Sequence, residues 1–139
     1  LIDRYVARPE LNALLQTADA YVSLHRSEGF GITIAEAMAL GKPVVATGWS
    51  GNMDFMTREN SCPIDYTLVT LERDYGPYTR GQRWADPDVA QAAAQMTRLI
   101  TEDGMAAALG ARAAHDIRAQ LSPFAVGRRI EARLRALRG

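Results

Sequence analysis

The sequence predicts an α/β domain in which a parallel sheet is followed by an α-helical tail. Short β-prone runs alternate with amphipathic helical segments in the first third of the chain, which is typical of a parallel sheet covered by helices. In the last third, apolar residues recur only at the spacing of an α-helix. The chain has 139 residues, of which 47% are hydrophobic, and this is enough for one domain with a real core. We therefore expect a single domain over residues 1–139.

The α/β part is expected to cover residues 1–70. Pro9 suits the first position of one helix, and Gly41 suits the end of the next. The run "SCPIDYTLV" is a less regular strand because Pro63 interrupts it. The turn-rich "GWSGN" leads into "NMDFM", which predicts a single helical turn. The predicted strands are 1–5, 20–24, 43–47 and 61–69, and the predicted helices are 9–18 and 31–40.

The rest of the chain is predicted to form a loop, residues 71–85, and a helical tail, residues 86–139. The loop sequence mixes aromatic residues, arginines and glycines without any period. In the tail, Asp86 is the expected N-cap of the first helix, Gly104 ends that helix, and Ser122 begins the third. The three predicted apolar stripes are Val89, Ala93, Met96 and Ile100; Met105, Leu109, Ala113 and Ile117; and Val126, Ile130, Leu134 and Leu137.

The composition argues against several classes of partner. Sixteen basic residues balance sixteen acidic ones, so no overall field attracts nucleic acid or a membrane surface. The single cysteine, Cys62, suits a reducing compartment, and we expect a cytoplasmic protein. Two histidines and one cysteine, far apart in the sequence, predict no metal site. The arginines of the last helix predict a solvated basic face, with peripheral membrane contact of the full-length protein as the alternative.

Two glutamates, eight positions apart, frame the segment that is most informative about function. Glu28 lies in the loop before the predicted helix 31–40, and Glu36 lies about one turn into that helix. Loops at the carboxyl edge of a parallel sheet commonly bind ligands, and the free amides of a helix N-terminus favour an anion such as a diphosphate. Carboxylates accept hydrogen bonds from paired hydroxyls, such as those of sugars and ribose. The combination favours a nucleotide-sugar site, although the spacing alone fits two solvent-exposed glutamates equally well.

The segment "SEGFGITIAEAMALGKPVVAT" resembles the donor-site motif of the retaining glycosyltransferases of family 4, the group 1 glycosyltransferases of GT-B fold. In that motif seven residues separate two glutamates, with Phe-Gly after the first and Glu-Ala-Met-Ala-x-Gly-Lys-Pro-Val-Val-Ala from the second onward. Every element is present here, and the similarity extends over nearly the whole chain, including "GWSGNMDFM" and "WADPD". The resemblance implies a Rossmann-like, nucleotide-sugar-binding C-terminal domain of such an enzyme.

The resemblance also implies a role for each residue of the segment. Glu36 matches the glutamate expected to bind the ribose hydroxyls of the nucleotide, and Glu28 matches the catalytic glutamate expected near the reacting carbon of the donor sugar. Amides of the loop would meet donor-sugar hydroxyls, and the first amides of the helix would meet the phosphates. His25 is a further candidate for donor contact, with a loop histidine that binds no ligand as the alternative. The other expected donor-binding residues are Gly29, Phe30, Gly31, Ile32 and Thr33.

The same resemblance implies an activity and its partners. A nucleotide diphosphate sugar would be the donor, and its sugar would be transferred with retention, without a cofactor or a metal ion. The acceptor would be a glycan, a lipid-linked molecule or a small molecule, bound by an N-terminal domain outside this chain. The arginine and lysine that clamp the diphosphate in this family would also precede Leu1. The chain begins with Leu rather than Met, and we therefore expect it to be an excerpt of a longer polypeptide. Asp54 departs from the family pattern, which often has glutamate there.

Two other interpretations stay open at this point. A non-catalytic nucleotide-sugar-binding module that works with a partner chain would use the same residues. A helical interaction protein would explain the tail, but it would leave Gly-Phe-Gly and both glutamates without a role.

Overall fold

The centre of the fold is a three-stranded parallel sheet. The structure is a computed structural model that describes residues 2–139. The strands of this sheet are β1 (Tyr21–Ser23), β2 (Val44–Thr47) and β3 (Cys62–Ile64). They lie in the order β1-β2-β3, and the register pairs Val22 with Val45 and Val45 with Cys62. The parallel sheet confirms the predicted α/β class.

Five α-helices lie within residues 2–139. They are α1 (Arg8–Thr17), α2 (Ile32–Ala39), α3 (Val89–Thr101), α4 (Met105–Leu121) and α5 (Pro123–Arg138). The two helices predicted in the α/β part are confirmed to within a residue at each end. The single turn predicted after the second long strand is a 3-10 helix, Gly51–Asp54.

Helices cover both faces of the sheet because alternate side chains of β2 point in opposite directions. Val44 and Ala46 belong to an apolar cluster that includes Ile34 of α2, together with residues of α1 and α4. Val45 points the other way and packs in a second cluster with Ala92 of α3. All four residues of β2 are buried, so the sheet forms the middle layer of three.

A two-stranded antiparallel hairpin follows the parallel sheet. Its strands are β4 (Tyr66–Thr70) and β5 (Arg83–Pro87). The predicted strand 61–69 is therefore wrong as one strand, because the chain leaves the parallel sheet at Asp65 and β4 pairs elsewhere.

The prediction for residues 83–87 is also wrong, since they are neither loop nor helix but β5, and the irregular segment is 71–82. Only Ala85 of β5 is buried, so the strand lacks the apolar alternation that would have indicated it.

The start of the helical tail differs from the prediction by two residues. Asp88, rather than Asp86, is the N-cap of α3, and its side chain accepts a hydrogen bond of 2.9 Å from the amide of Gln91. Asp86 and Pro87 complete β5, where Pro87 pairs with Tyr66 at the end of the ladder. Ser122 caps α5 as predicted, accepting from the amide of Ala125.

The helices of the tail bury different faces from one another. The stripe predicted for α3 is wrong, because Val89, Met96 and Ile100 are exposed and Ala92 is buried instead. A small residue lets the helix approach β2 and β3 closely, and this decides which face packs.

The stripe of α4 is confirmed, since Ala113 and Ile117 are buried and the other two members are half-buried. No residue of α5 is buried, so its apolar stripe lies at the surface.

The first residues of the chain do not form the predicted strand. Residues 2–7 have no regular structure, and Leu1 lies outside the described residues. Ile2 and Tyr5 are exposed, so their side chains find no sheet to pack against.

Candidate nucleotide-sugar site

The candidate site is built where two loops meet at the carboxyl edge of the parallel sheet, the usual location of ligand sites in α/β folds. One loop, residues 24–31, follows β1, and the other, residues 48–54, follows β2 and contains the 3-10 helix. The backbones touch, since a Cβ added to Gly51 would lie 1.9 Å from the carbonyl oxygen of Gly29. The Ser50 hydroxyl also donates a hydrogen bond to the carbonyl of Glu28. The second loop therefore fixes the position of the first.

Ser50 adopts a backbone conformation that L-residues other than glycine rarely occupy. Its φ is 83° and its ψ is −156°. A conformation of this kind costs on the order of 1–3 kcal/mol and persists only where the surroundings impose it. Here the close contact of the two loops supplies that constraint.

Glu28 folds back onto its own loop. Its Oε1 accepts hydrogen bonds from the amides of Gly29, at 2.9 Å, and Gly31, at 3.1 Å. Its other carboxylate oxygen makes no hydrogen bond within the part of the chain that the structure describes. Gly31, with φ of 87°, is the residue before α2, and Asn52 and Phe55 crowd the space where its Cβ would lie. The loop thus ends in a turn that only glycine fits well.

The first turn of α2 presents free amides. Among the described residues, none accepts a hydrogen bond from the backbone N–H groups of Ile32, Thr33 and Ile34. These groups carry the positive end of the helix dipole, which suits an anion. The Thr33 hydroxyl, by contrast, accepts a hydrogen bond of 3.0 Å from the hydroxyl of Tyr21 in β1. Its amide is therefore freer than its side chain to meet a ligand.

Glu36 lies in α2 with its carboxylate only partly accessible. The side chain is 23% exposed, and one oxygen, Oε1, is paired with the guanidinium of Arg8 at the start of α1. The other oxygen, Oε2, is buried and has no hydrogen-bond partner within residues 2–139. A buried acceptor without a partner is unfavourable, by roughly 1–3 kcal/mol. This oxygen can therefore accept a hydrogen bond from a hydroxyl.

A groove of about 320 Å³ borders Glu36 on the outer face of α2. Its walls are apolar apart from that carboxylate, and they come from the loop before α2 and from α2, α4 and α5. The residues lining it are Phe30, Ile32, Ala35, Glu36, Ala39, Ile117, Leu121 and Val126.

His25 connects the two loops but has little capacity left for a ligand. Its Nε2 lies 3.1 Å from the carbonyl oxygen of Trp49, and its Nδ1 lies 3.2 Å from the Ser23 hydroxyl. Because a carbonyl only accepts, Nε2 donates to Trp49, and Nδ1 of the neutral ring then accepts from Ser23. Both ring nitrogens are occupied, which favours a structural role.

The aromatic residues of the hairpin region pack against one another. The ring of Trp84 contacts the guanidinium of Arg26, which is 5.1 Å from its centroid, and the ring of Tyr75, whose centroid is also 5.1 Å away. Tyr75 in turn carries the guanidinium of Arg73 at 4.9 Å. Arg26 belongs to the loop that carries Glu28, so its contacts with Trp84 and with Asp86 attach that loop to the hairpin.

The structure places the predicted donor-site residues in one loop and one helix, and it adds three residues that the sequence did not indicate. Arg8, Tyr21 and Ser50 contact Glu36, Thr33 and the backbone of Glu28 respectively. No local pattern could have indicated them, because each contact joins segments 12 or more positions apart. Asp54 is exposed at the end of the 3-10 helix.

The fold and the site together define a class of protein: an α/β domain with an anion-favouring loop and helix at the edge of a parallel sheet. Residues 4–62 match the family model described as glycosyl transferases group 1, and the match covers somewhat less than half of the chain. This segment contains both glutamates, the strands β1 and β2, and the first residue of β3. The match supports a glycosyl transfer function, and the architecture is consistent with the C-terminal domain of the GT-B fold. Among curated proteins no sequence matches this chain significantly.

Over residues 2–139, no helix combines the length and the apolar character needed to cross a bilayer. The same residues contain no cluster of three or more histidine, cysteine, aspartate or glutamate side chains arranged to hold a metal ion.

Proposed function

We propose that the chain supplies the donor site of a retaining glycosyltransferase that takes its sugar from a nucleotide diphosphate sugar. The observation that carries the proposal is the buried Oε2 of Glu36, which has no partner in the described part of the chain. The helix that carries Glu36 begins with amides that are likewise without an acceptor there. A carboxylate oxygen suits a ribose hydroxyl, and free amides suit a phosphate. A nucleoside diphosphate presents both groups at once.

The phosphates are proposed to bind at the start of α2. The amides of Ile32 and Thr33 donate to phosphate oxygens, and the helix dipole favours their negative charge. When the bond from the sugar to the diphosphate breaks, negative charge grows on the leaving phosphate. Donors already in position stabilise that charge more than they stabilise the ground state, and this accelerates the reaction.

The donor sugar is proposed to lie beside the loop that carries Glu28. The amides of Gly29 and Gly31 now bond Glu28 itself, so sugar hydroxyls can reach them only if the carboxylate swings away, and the amide of Phe30 lies between them. In the released position, Glu28 would face the sugar carbon where positive charge develops. Retention then follows from attack on the same face that the diphosphate leaves, with the leaving phosphate assisting the acceptor.

The proposals for the acceptor, the compartment and the absence of a cofactor rest on the resemblance to group 1 glycosyltransferases. The acceptor, a glycan, a lipid-linked molecule or a small molecule, is bound by a further domain of the full-length protein. Transfer takes place in the cytoplasm and needs neither a cofactor nor a metal ion. Sugar transfer that continues at an unchanged rate in a chelator would support the metal-free mechanism, and a loss restored by divalent cations would contradict it.

Two substitutions in the full-length protein test the roles of the glutamates. Ribose is unchanged between ground state and transition state, so Glu36→Ala should raise the KM for the donor and weaken binding of the bare nucleoside diphosphate. The lost hydrogen bond to a charged acceptor is worth about 1.5–3 kcal/mol, which is roughly one to two powers of ten in affinity. Glu28→Gln should instead lower kcat and leave the affinity for the nucleoside diphosphate nearly unchanged.

Calorimetric titration with a panel of nucleoside diphosphates and steady-state kinetics provide the measurements. Glu131→Gln is a suitable control, because Glu131 is an exposed residue of α5 that pairs with Arg135. A Glu36→Ala protein that binds the nucleotide like the wild type would contradict the ribose assignment. Loss of affinity without loss of kcat in Glu28→Gln would contradict the catalytic one.

A further inference from the structure

We propose that Arg8 is a positioning residue that holds Glu36 by one carboxylate oxygen and so aims the other at the ribose of the nucleotide. The inference rests on the proposed function, because it concerns the same carboxylate. It assigns a role to a residue of α1, which lies outside the glutamate-containing segment. The observations that carry it are the ion pair and the unpaired oxygen of Glu36.

The placement of Arg8 is unfavourable for its own helix. It is the first residue of α1, where the positive end of the helix dipole disfavours a cation. The acidic residue of that first turn, Glu10, is paired with Arg4 instead. Arg8 therefore does not serve the local structure of α1. Its partner is Glu36, 28 positions further along the chain.

The chemistry of the pair explains what Arg8 can do. A guanidinium only donates hydrogen bonds and a carboxylate only accepts them, so Arg8 occupies Oε1 and restricts the conformations that the Glu36 side chain can adopt. Oε2 is buried and has no hydrogen-bond partner among the described residues, so it is left to accept from a hydroxyl.

The test compares ribose with deoxyribose. In the full-length protein, the affinities of the preferred nucleoside diphosphate and of its 2′-deoxy and 3′-deoxy analogues are measured by calorimetry. The wild type should bind at least one deoxy analogue about tenfold more weakly, because a buried carboxylate oxygen loses its donor. Arg8→Ala should reduce this ratio to about two or less and weaken the ribose form. Arg8→Lys, which keeps the charge, should restore part of the ratio.

Inorganic pyrophosphate and a second arginine provide the controls. Arg8→Ala should leave the affinity for pyrophosphate unchanged, since the proposed contact is with ribose. Arg4→Ala removes the neighbouring exposed arginine and its pair with Glu10, and it should leave all these affinities unchanged.

The remaining outcomes overturn the inference in distinguishable ways. If Arg8→Ala weakens pyrophosphate and nucleotide equally with the ribose ratio preserved, Arg8 binds phosphate directly. If Arg8→Ala behaves like the wild type while Glu36→Ala loses affinity, only the role of Arg8 is wrong. If the wild type binds no nucleoside diphosphate, the proposed function fails and this inference fails with it.

Discussion

At the scale of single residues, Ser50 shows how strongly the candidate site constrains its own backbone. In most positions, replacing alanine by glycine lowers stability by about 0.4–1 kcal/mol, because glycine gains freedom in the unfolded chain. At Ser50, with φ of 83°, the order should be reversed. Ser50→Ala keeps the strained backbone and loses the hydrogen bond to the Glu28 carbonyl, whereas Ser50→Gly loses the bond but relieves the strain.

We therefore expect Ser50→Gly to be more stable than Ser50→Ala by about 1–2 kcal/mol in urea unfolding. The same pair of substitutions at Thr101, an exposed residue in the last turn of α3, serves as the control and should show alanine as the more stable variant. An alanine variant at position 50 that is as stable as the glycine variant would show that the backbone there is unstrained.

The residues of the site differ in how far the sequence could predict them. Glu28 and Glu36 could be located on a loop and on a helix, because the glycines and the apolar period around them indicate those elements. Arg8 could not be linked to Glu36, since nothing in a linear pattern reports a contact between two helices. The hydrogen bonds from the loop amides to Glu28 also depend on a side-chain conformation that no spacing specifies.

At the scale of elements, a backbone contact fixes how α4 lies over the turn after α2. A Cβ on Gly110 would be 2.0 Å from the carbonyl oxygen of Gly41. Alanine normally stabilises a helix interior by about 1 kcal/mol relative to glycine. Here the added methyl would force the helix away from the turn, so we expect Gly110→Ala to lower the free energy of unfolding by about 1–3 kcal/mol.

Gly127 in α5 provides the matched control for this prediction. Nothing lies within 4 Å of the position its Cβ would take, so Gly127→Ala should raise stability by up to about 1 kcal/mol. Urea unfolding followed by circular dichroism measures both. Equal effects of the two substitutions would mean that α4 and the turn can separate freely.

Prediction of the elements failed where packing overrides pattern. The sequence does not indicate β5, because arginine, tryptophan and aspartate occupy a strand that buries only one alanine. For α3, the largest apolar residues suggested one face, but the helix packs on Ala92, because a small residue allows close approach to the sheet. Elements whose large apolar residues are themselves buried, such as α2 and β2, were predicted with nearly correct bounds.

At the scale of the whole molecule, Asp116 links α4 to the segment between the 3-10 helix and β3. Its carboxylate accepts hydrogen bonds from His115, Arg112 and the buried amide of Asn60, and these lower the pKa of Asp116 to about 2 from an ordinary value of 3.8. A group with a lowered pKa in the folded state stabilises the fold above its unfolded pKa. That stabilisation is fully present above about pH 4 and is lost as the pH falls toward 2.

We expect the free energy of unfolding of the wild type to decline between pH 4 and pH 2 more steeply than that of Asp116→Asn. Urea unfolding at a series of pH values measures the difference between the two slopes. Glu131→Gln, which removes an exposed carboxylate of α5, should leave the slope close to that of the wild type. Parallel profiles for wild type and Asp116→Asn would show that the carboxylate does not couple folding to protons.

The α/β class, the parallel sheet and the helical tail could be predicted because they depend on alternation and on helical spacing repeated over many residues. The order of the strands and the pairing of β4 with β5 depend on contacts between distant segments, and they required the structure.

The lone thiol of Cys62 gives the molecule an intrinsic probe of its own opening. Cys62 lies in β3 and is 6% exposed. Burial raises the pKa of its thiol, so little reactive thiolate is present while β3 stays paired in the sheet. An alkylating reagent will therefore modify the protein at a rate set by how often β3 becomes accessible. With one cysteine in the chain, each modified molecule records one such event at a known place. Slower alkylation with a nucleotide bound would show that binding at the carboxyl ends of the strands makes β3, the edge strand of the sheet, open less often.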